Sequence, residues 1–325
     1  MAKNLKLKPV RVLPLAIMTG LIVYSLFFYK SPNQSCTFYS MGGIKTEIKI
    51  FDQHRRVARE ACELVKTRYE DLEQMFSTYR AGSLISKINN EASRKPVQLT
   101  EEVYYLISRS LTISSATDGY FDIAVKPLLD MWSSAEKEKS LPSSLRIKQT
   151  KSISTSKFIV LNEKLQTVYF QKPGMKIDFG AIAKGYMADQ AKKLLISQGV
   201  ERALINSGGD IVAFDVSENQ TAFKVAIYNP VTKKNNQIIS ITNGSIVTSG
   251  NYSRSYTIQG RQYSHILNPH TGTPKGGCKS ITVTASTGLL ADAIATALCA
   301  DPSYKVGKNL PNLPAGIKVV SYIRD

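Results

Sequence analysis

Apolar side chains recur at three- and four-residue spacing through residues 57–78, at Val57, Ala61, Leu64, Val65, Leu72 and Met75, and this spacing predicts a helix. A second helix is predicted after Thr100, where Thr-Glu-Glu-Val is a start signal and the pattern runs through Leu106, Ile107 and Leu111 to a stop at Asp118-Gly119. Residues 133–156, rich in Ser, Lys and Glu, read as a surface excursion. Phe158–Leu161 and Thr167–Phe170 read as short strands around a polar turn. Ala181–Ser197 follows as a helix ended by Gly199, then the strand Ala203–Asn206. Further strands are expected at Phe223–Tyr228, Gln237–Ile241, Ser255–Gln259 and Ser280–Ala285, before a helix over Leu289–Cys299. Helices and strands mix without a repeated βαβ period, so the fold class is α+β. No internal repeat interrupts this order.

One stretch differs in kind. Val12–Tyr29 holds no charge and is preceded by Lys3, Lys6, Lys8 and Arg11. As a helix it would span about 27 Å, enough for the hydrocarbon core of a bilayer. The basic flank places the amino terminus in the cytoplasm and the rest outside. Residues 1–30 are therefore read as a membrane anchor or signal segment, 31–37 as a linker and 38–325 as the working domain. An uncleaved helix is favoured over a lipid at Cys36, because Asn33 and Gln34 stand where a lipid-attachment signal has small or aliphatic residues. Either would tether the domain to a bacterial inner membrane on its periplasmic side.

Composition narrows the classes further. The 325 residues are 43% hydrophobic and 21% charged, with a net charge of +17, which excludes disordered, collagen-like and disulfide-dense chains. Five of the 42 basic residues precede position 31, leaving 37 against 25 acids. That surplus suits small anions and anionic lipid heads. No basic–aromatic run, zinc-finger spacing or helix-turn-helix pattern points to nucleic acid. Cys36, Cys62, Cys278 and Cys299 have irregular spacing and no C-x-x-C. Two disulfides are possible in an exported chain, but Cys62 and Cys299 fall in apolar helical patterns and read as small core residues.

Polar, glycine-rich clusters break the framework at Asp118–Asp122, Ile177–Gly185, Asn206–Asp210, Thr248–Gly250 and Ser264–Gly272. Each alone is a weak signal, and a Gly-Gly after a strand is a turn more often than a phosphate cradle. The second enters a helix, whose free amides and Lys184 suit an anion. Asp292 and Thr296 stand four apart on an otherwise small, apolar helix. They read equally as hard-cation ligands or as a carboxylate near a helix start with a back-bonded threonine.

Taken in order, Ser77-Thr78-Tyr79-Arg80, Gly119–Ile123, Ile177–Tyr186, Asn206–Asp210, Thr248–Gly250, Tyr263–Pro269 with Thr271-Gly272, and Ala291-Asp292 with Thr296-Ala297 resemble the FAD:protein FMN transferase (ApbE) family. The resemblance implies one catalytic domain of two mixed α/β lobes. It also implies Mg²⁺-dependent transfer of FMN from FAD to a Thr or Ser hydroxyl of an acceptor protein, with release of AMP. The implied acceptors are flavoprotein subunits of respiratory electron-transfer complexes. Carried over residue by residue, it places FAD contacts at Met41, Tyr79, Tyr120, Phe121, Asp122, Asp178, Lys184 and Ile266. Mg²⁺ ligands fall at Asp292, Thr296 and the carbonyl of Ala181, and the catalytic histidine is His265. Tyr79 and Phe121 offer aromatic surface for a flavin or adenine ring, and each reads equally as a core residue. The chain departs from the family at Gly43 and Ala124, where threonine is usual, and at Asn268, where aspartate is usual. An FAD pyrophosphatase and a non-catalytic flavin-binding module are the alternatives.

Overall fold

The computed structural model describes residues 30–251, 255–274, 276–301, 303 and 316–323. The apolar run Val12–Tyr29 lies outside them, and among the described residues no helix is long and apolar enough to cross a membrane.

Alternation of inward and outward side chains builds the central sheet. In β1 (Lys30–Ser40) and β2 (Ile44–His54) the chain doubles back through a turn at Met41–Gly43. Thr46, Ile48 and Ile50 of β2 are buried and face Ser207, Ile205 and Ala203 across the ladder. Residues 31–37, expected as a linker, are thus part of an edge strand, with Gln34 opposite Ile50 and Cys36 opposite Ile48. Their polar composition hid a strand in which only alternate positions touch the core.

Along the chain follow β3 (Val97–Gln98), β4 (Ile159–Asn162), β5 (Thr167–Phe170), β6 (Arg202–Ser207), β7 (Asp210–Asp215), β8 (Phe223–Asn229), β9 (Lys234–Ile241), β10 (Gly244–Gly250), β11 (Ser255–Ile258), β12 (Arg261–Ser264), β13 (Leu267–Asn268), β14 (Thr273–Pro274), β15 (Ser280–Ala285) and β16 (Lys318–Ile323). The main sheet runs β1-β2-β6-β7-β10-β15-β16 and every neighbour pair is antiparallel. Mixed helices and antiparallel strands make this an α+β fold, as the sequence predicts.

Among the described residues the helices are α1 (Arg55–Phe76), α2 (Leu84–Glu91), α3 (Glu101–Ala116), α4 (Lys126–Glu138), α5 (Ser144–Ser152), α6 (Ala183–Ser197) and α7 (Gly288–Ala300). Three of them lie side by side on the main sheet: α1 over β1 and β2, α6 over β6 and β7, α7 over β10 and β15. Helix α1 buries Ala58, Ala61, Cys62, Val65, Tyr69, Leu72 and Phe76, a clean i, i+3, i+4 stripe, and leaves Leu64 exposed. Helix α7 is buried on nearly every side, which its run of alanines and leucines permits. A second lobe gathers α4, the β11–β12 hairpin and a small core of Leu128, Met131, Trp132, Ile258 and Leu267. Most of residues 133–156 is exposed or half-buried there; α5 buries no residue fully and packs only Ile147 against this small core.

The cysteines correct the sequence reading. Cys36 is bonded to Cys62 and Cys278 to Cys299, so no described cysteine is free. One bond ties the edge strand β1 to α1, and the other ties the segment before β15 to the end of α7. Cys62 and Cys299 are buried as expected, but each has a bonded partner.

Candidate functional site

The site is founded on a close crossing of two helices. Lys184 and Gly185 lie in the first turn of α6, and Gly288 opens α7. A Cβ on Gly185 would stand 2.1 Å from the carbonyl oxygen of Gly288, so only glycine allows the two backbones to meet. The start of α7 is also fixed by its neighbour. Asp189 of α6 accepts the amides of Gly288 at 2.7 Å and Leu289 at 2.9 Å, and Thr287 caps with its hydroxyl on the amide of Leu290 at 3.3 Å. Burial pushes the Asp189 carboxyl up to about 6, against the pull of those amides.

That crossing brings Asp292 against the start of α6. The Lys184 ammonium donates to both its oxygens, at 3.1 and 3.2 Å, and the Gly185 amide donates to Oδ2 at 3.2 Å. Lys184 also meets Asp210 Oδ2 at 3.0 Å. Asp210 is the first residue of β7, delivered by the Gly208-Gly209 turn, and the amide of Thr248 donates to its carboxylate. Both aspartates are buried, at 2% and 1% exposure. Burial pulls against the charge on Lys184, but Asp210 and then Asp292 outweigh it and hold the ammonium above the ordinary lysine range. Burial raises the Asp210 carboxyl; Lys184 opposes that rise and Asp292 adds to it.

One turn after Asp292, the Thr296 hydroxyl lies 3.3 Å from the Ser249 hydroxyl on β10. Ala181 sits half-buried in the turn just before α6. Among the described residues no group of three His, Cys, Asp or Glu side chains converges on one point. Asp292, Thr296 with Ser249, and the carbonyl of Ala181 offer instead a carboxylate, hydroxyls and a backbone oxygen, all hard oxygens. Such a set fits Mg²⁺, which keeps several waters and needs only one or two carboxylates.

A second group flanks the first. Asp178 accepts the Thr78 hydroxyl at 3.1 Å and the Gly180 amide at 2.7 Å, while its own amide donates to Ile123 at 2.8 Å. Next to Thr78, Tyr79 is 91% exposed, with the Lys126 ammonium 5.7 Å from its ring centre. The Met41 amide donates to Glu73 at 2.7 Å, and Glu73 also receives Arg80. Tyr120 packs edge-on against His270 at 4.5 Å. An open aromatic face is therefore present at Tyr79 but not at Phe121, whose ring is 1% exposed and belongs to the core. Asp122 is likewise engaged internally: it accepts Ala124 N at 2.8 Å and both Ser156 N and Oγ at 2.9 Å, with its carboxyl raised by burial.

His265 lies half-buried between β12 and β13, followed by buried Ile266, whose amide donates to Ser264 Oγ at 3.0 Å. Its segment is steadied by Trp132, which packs on Tyr263 at 5.5 Å and donates to Gly272 O at 2.9 Å. Asn268 has a local reason to differ from aspartate. It is buried, donates to Asp301 Oδ2 at 3.2 Å and accepts the amides of His270 and Thr271. A carboxylate there would face a carboxylate. The residues missed from sequence are Asp210, Ser249 and Asp189; the Asn-Ser-Gly-Gly-Asp and Thr-Ser-Gly clusters mark the first two, while Asp189 sits unmarked within a helix.

Comparison with known proteins shows what the chain as a whole is similar to. The model of the ApbE family matches residues 42–320. The FAD:protein FMN transferase of Klebsiella pneumoniae (strain 342) is 34% identical over 254 residues, 77% of each chain. That of Escherichia coli (strain K12) is 30% identical over 246 residues, 74% of this chain and 70% of the other. The crystal structure of the ApbE protein from Thermotoga maritima superposes with a TM-score of 0.80 at 27% identity, covering 90% of this chain and 96% of that one.

Proposed function

The chain belongs to the ApbE family, and on that premise we propose that it is a Mg²⁺-dependent FAD:protein FMN transferase. It moves FMN from FAD to a Ser or Thr hydroxyl of an acceptor flavoprotein and releases AMP. The observation that carries this reading is the buried Asp210–Lys184–Asp292 arrangement beside the Ser249 and Thr296 hydroxyls, in a chain akin to named FMN transferases.

Asp292, Thr296 and the carbonyl of Ala181 are the residues that would hold Mg²⁺. When bound, the ion neutralises phosphoryl oxygens as a Lewis acid and template. Lys184 adds a fixed positive charge beside the pyrophosphate. Tyr79 offers its open face to a ring, while Met41, Tyr120, Phe121, Asp122, Asp178 and Ile266 shape the pocket; for Phe121 and Asp122 this role falls to the backbone, since their side chains face inward. His265 takes the proton of the acceptor hydroxyl as its oxygen bonds to the FMN phosphorus. The P–O bond to the AMP half breaks, and AMP leaves with the electron pair.

The compartment follows by the same reasoning. Two disulfides persist in an oxidising space, and Val12–Tyr29 after basic residues favours a tether to the inner membrane with the domain on its periplasmic face. Subunits of membrane electron-transfer complexes are acceptors within reach of such a tether.

Incubation of the full chain with FAD, Mg²⁺ and an acceptor domain, followed by intact-mass measurement, tests the reading. A gain of one FMN on the acceptor, abolished by EDTA, is expected. Free FMN and AMP without labelling would favour a pyrophosphatase, and intact bound FAD would leave a binding module.

A further inference from the structure

Lys184 occupies the very carboxylate assigned above to the cation. Its ammonium lies 3.1 and 3.2 Å from the two oxygens of Asp292, so a divalent ion arriving there meets a charge already in place. A buried ammonium released from one carboxylate needs another, because an unpaired charge in the interior is costly. Asp210 supplies it at 3.0 Å, from the strand β7 rather than from the helix that carries Asp292. The Gly208-Gly209 turn and the Thr248 amide hold Asp210 in position independently of Lys184.

We propose that Asp210 is a positioning residue that retains Lys184 in the site when a divalent cation takes Asp292. Lys184 stands in for the ion on Asp292 in its absence and moves onto Asp210 alone in its presence. The site thereby keeps two positive charges, one mobile and one tethered, for the single substrate pyrophosphate. This rests on the metal reading of Asp292.

The roles of the two charged partners give opposite signs. Without Asp210, Lys184 has only Asp292 and competes with the ion; without Lys184, the competition ends. Mn²⁺ is the probe, bound to the purified full chain and followed by the paramagnetic resonance of the free ion. Asp210→Asn is expected to weaken Mn²⁺ binding about tenfold and Lys184→Met to tighten it, with contacting residues coupling strongly. Loss of the Asp210 charge alone also weakens a cation site. The decisive quantity is therefore the Asp210→Asn effect in the two backgrounds. It should be several-fold larger with Lys184 present than in the Lys184→Met chain. Equal effects in both, or none in either, would overturn the proposal.

A crystal structure of the unmodified chain soaked with Mn²⁺ avoids any variant that fails to fold. The expected result is anomalous density at Asp292 with Lys184 within hydrogen-bonding distance of Asp210 only. Mn²⁺ at Asp292 with Lys184 still bonded there, or turned away from both aspartates, would overturn the retention role and leave the metal reading standing. No Mn²⁺ at Asp292 would overturn both.

Discussion

Gly185 and Gly288 meet backbone to backbone: a Cβ on the first would stand 2.1 Å from the carbonyl oxygen of the second, and a Cβ on the second 2.5 Å from that of the first. This contact sets the distance between α6 and α7, and so between Lys184 and Asp292. Gly185→Ala must drive the helices apart. A loss of at least about 2 kcal/mol is expected from overpacking against backbone, read by denaturant unfolding, together with weaker Mn²⁺ binding. Unchanged stability would mean that the crossing yields at no cost.

His265→Ala should lower transfer of FMN to an acceptor by roughly 10²–10⁴-fold, the range for loss of a general base. Its melting temperature and Mn²⁺ affinity should match the parent chain. A fall in melting temperature of the same variant would instead assign His265 to the support of its turn.

Asn268→Asp should destabilise by about 1–3 kcal/mol, by removing the donor to Asp301 and setting two buried carboxylates together. The exchanged pair Asn268→Asp/Asp301→Asn restores a donor, now from position 301, while its carbonyl oxygen still accepts from Ser303. Thermal melts of the single and double variants check this; recovery in the double is the expected result.

Asp189 gives a pH signature. Its carboxyl is raised from 3.8 to about 6 by burial, so the folded state binds its proton more tightly than the unfolded state. That contribution to stability is complete below about pH 3.8 and is lost as pH rises through about 6. Unfolding free energies measured from pH 4 to 7 should fall more steeply for the parent chain than for Asp189→Asn, whose amide does not titrate. Identical slopes would refute the assignment.

Reduction should matter as well. The disulfides close segments with sequence separations of 26 and 21, each worth about 3 kcal/mol on the loop-entropy scale. Dithiothreitol should therefore lower the denaturation midpoint markedly, and a chain with Cys278 and Cys299 both changed to Ser should show roughly half that loss.

Much of this was legible in the residues. The amphipathic period of α1, the Thr100 start of α3, the Gly199 stop after α6 and the strand Ser280–Ala285 follow from local rules, and the structure places them within a few residues of expectation. Lys184, Asp292 and Thr296 were also marked by their clusters. What was hidden depends on distant partners. β1 looks like a linker until β2 lies beside it. Asp210 looks like the end of a turn until Lys184 reaches it from α6. Cys62 looks like one more small core residue until Cys36 is brought to a Cα separation of 6.4 Å. For Phe121 the residues leave both readings open, since an aromatic ring beside a site motif can face either way, and here it faces the core.

The cysteines pair in the order in which they occur, first with second and third with fourth. Four thiols permit three pairings, and this is the one that a chain emerging amino end first can make as it goes. The first bond can close long before the third cysteine has appeared, and neither bond encloses the other. Oxidation in order of emergence therefore yields the native set without reshuffling. The helix bearing Asp292 is clasped only by the second bond, so the contact between Lys184 and Asp292 is among the last parts of the molecule to become permanent.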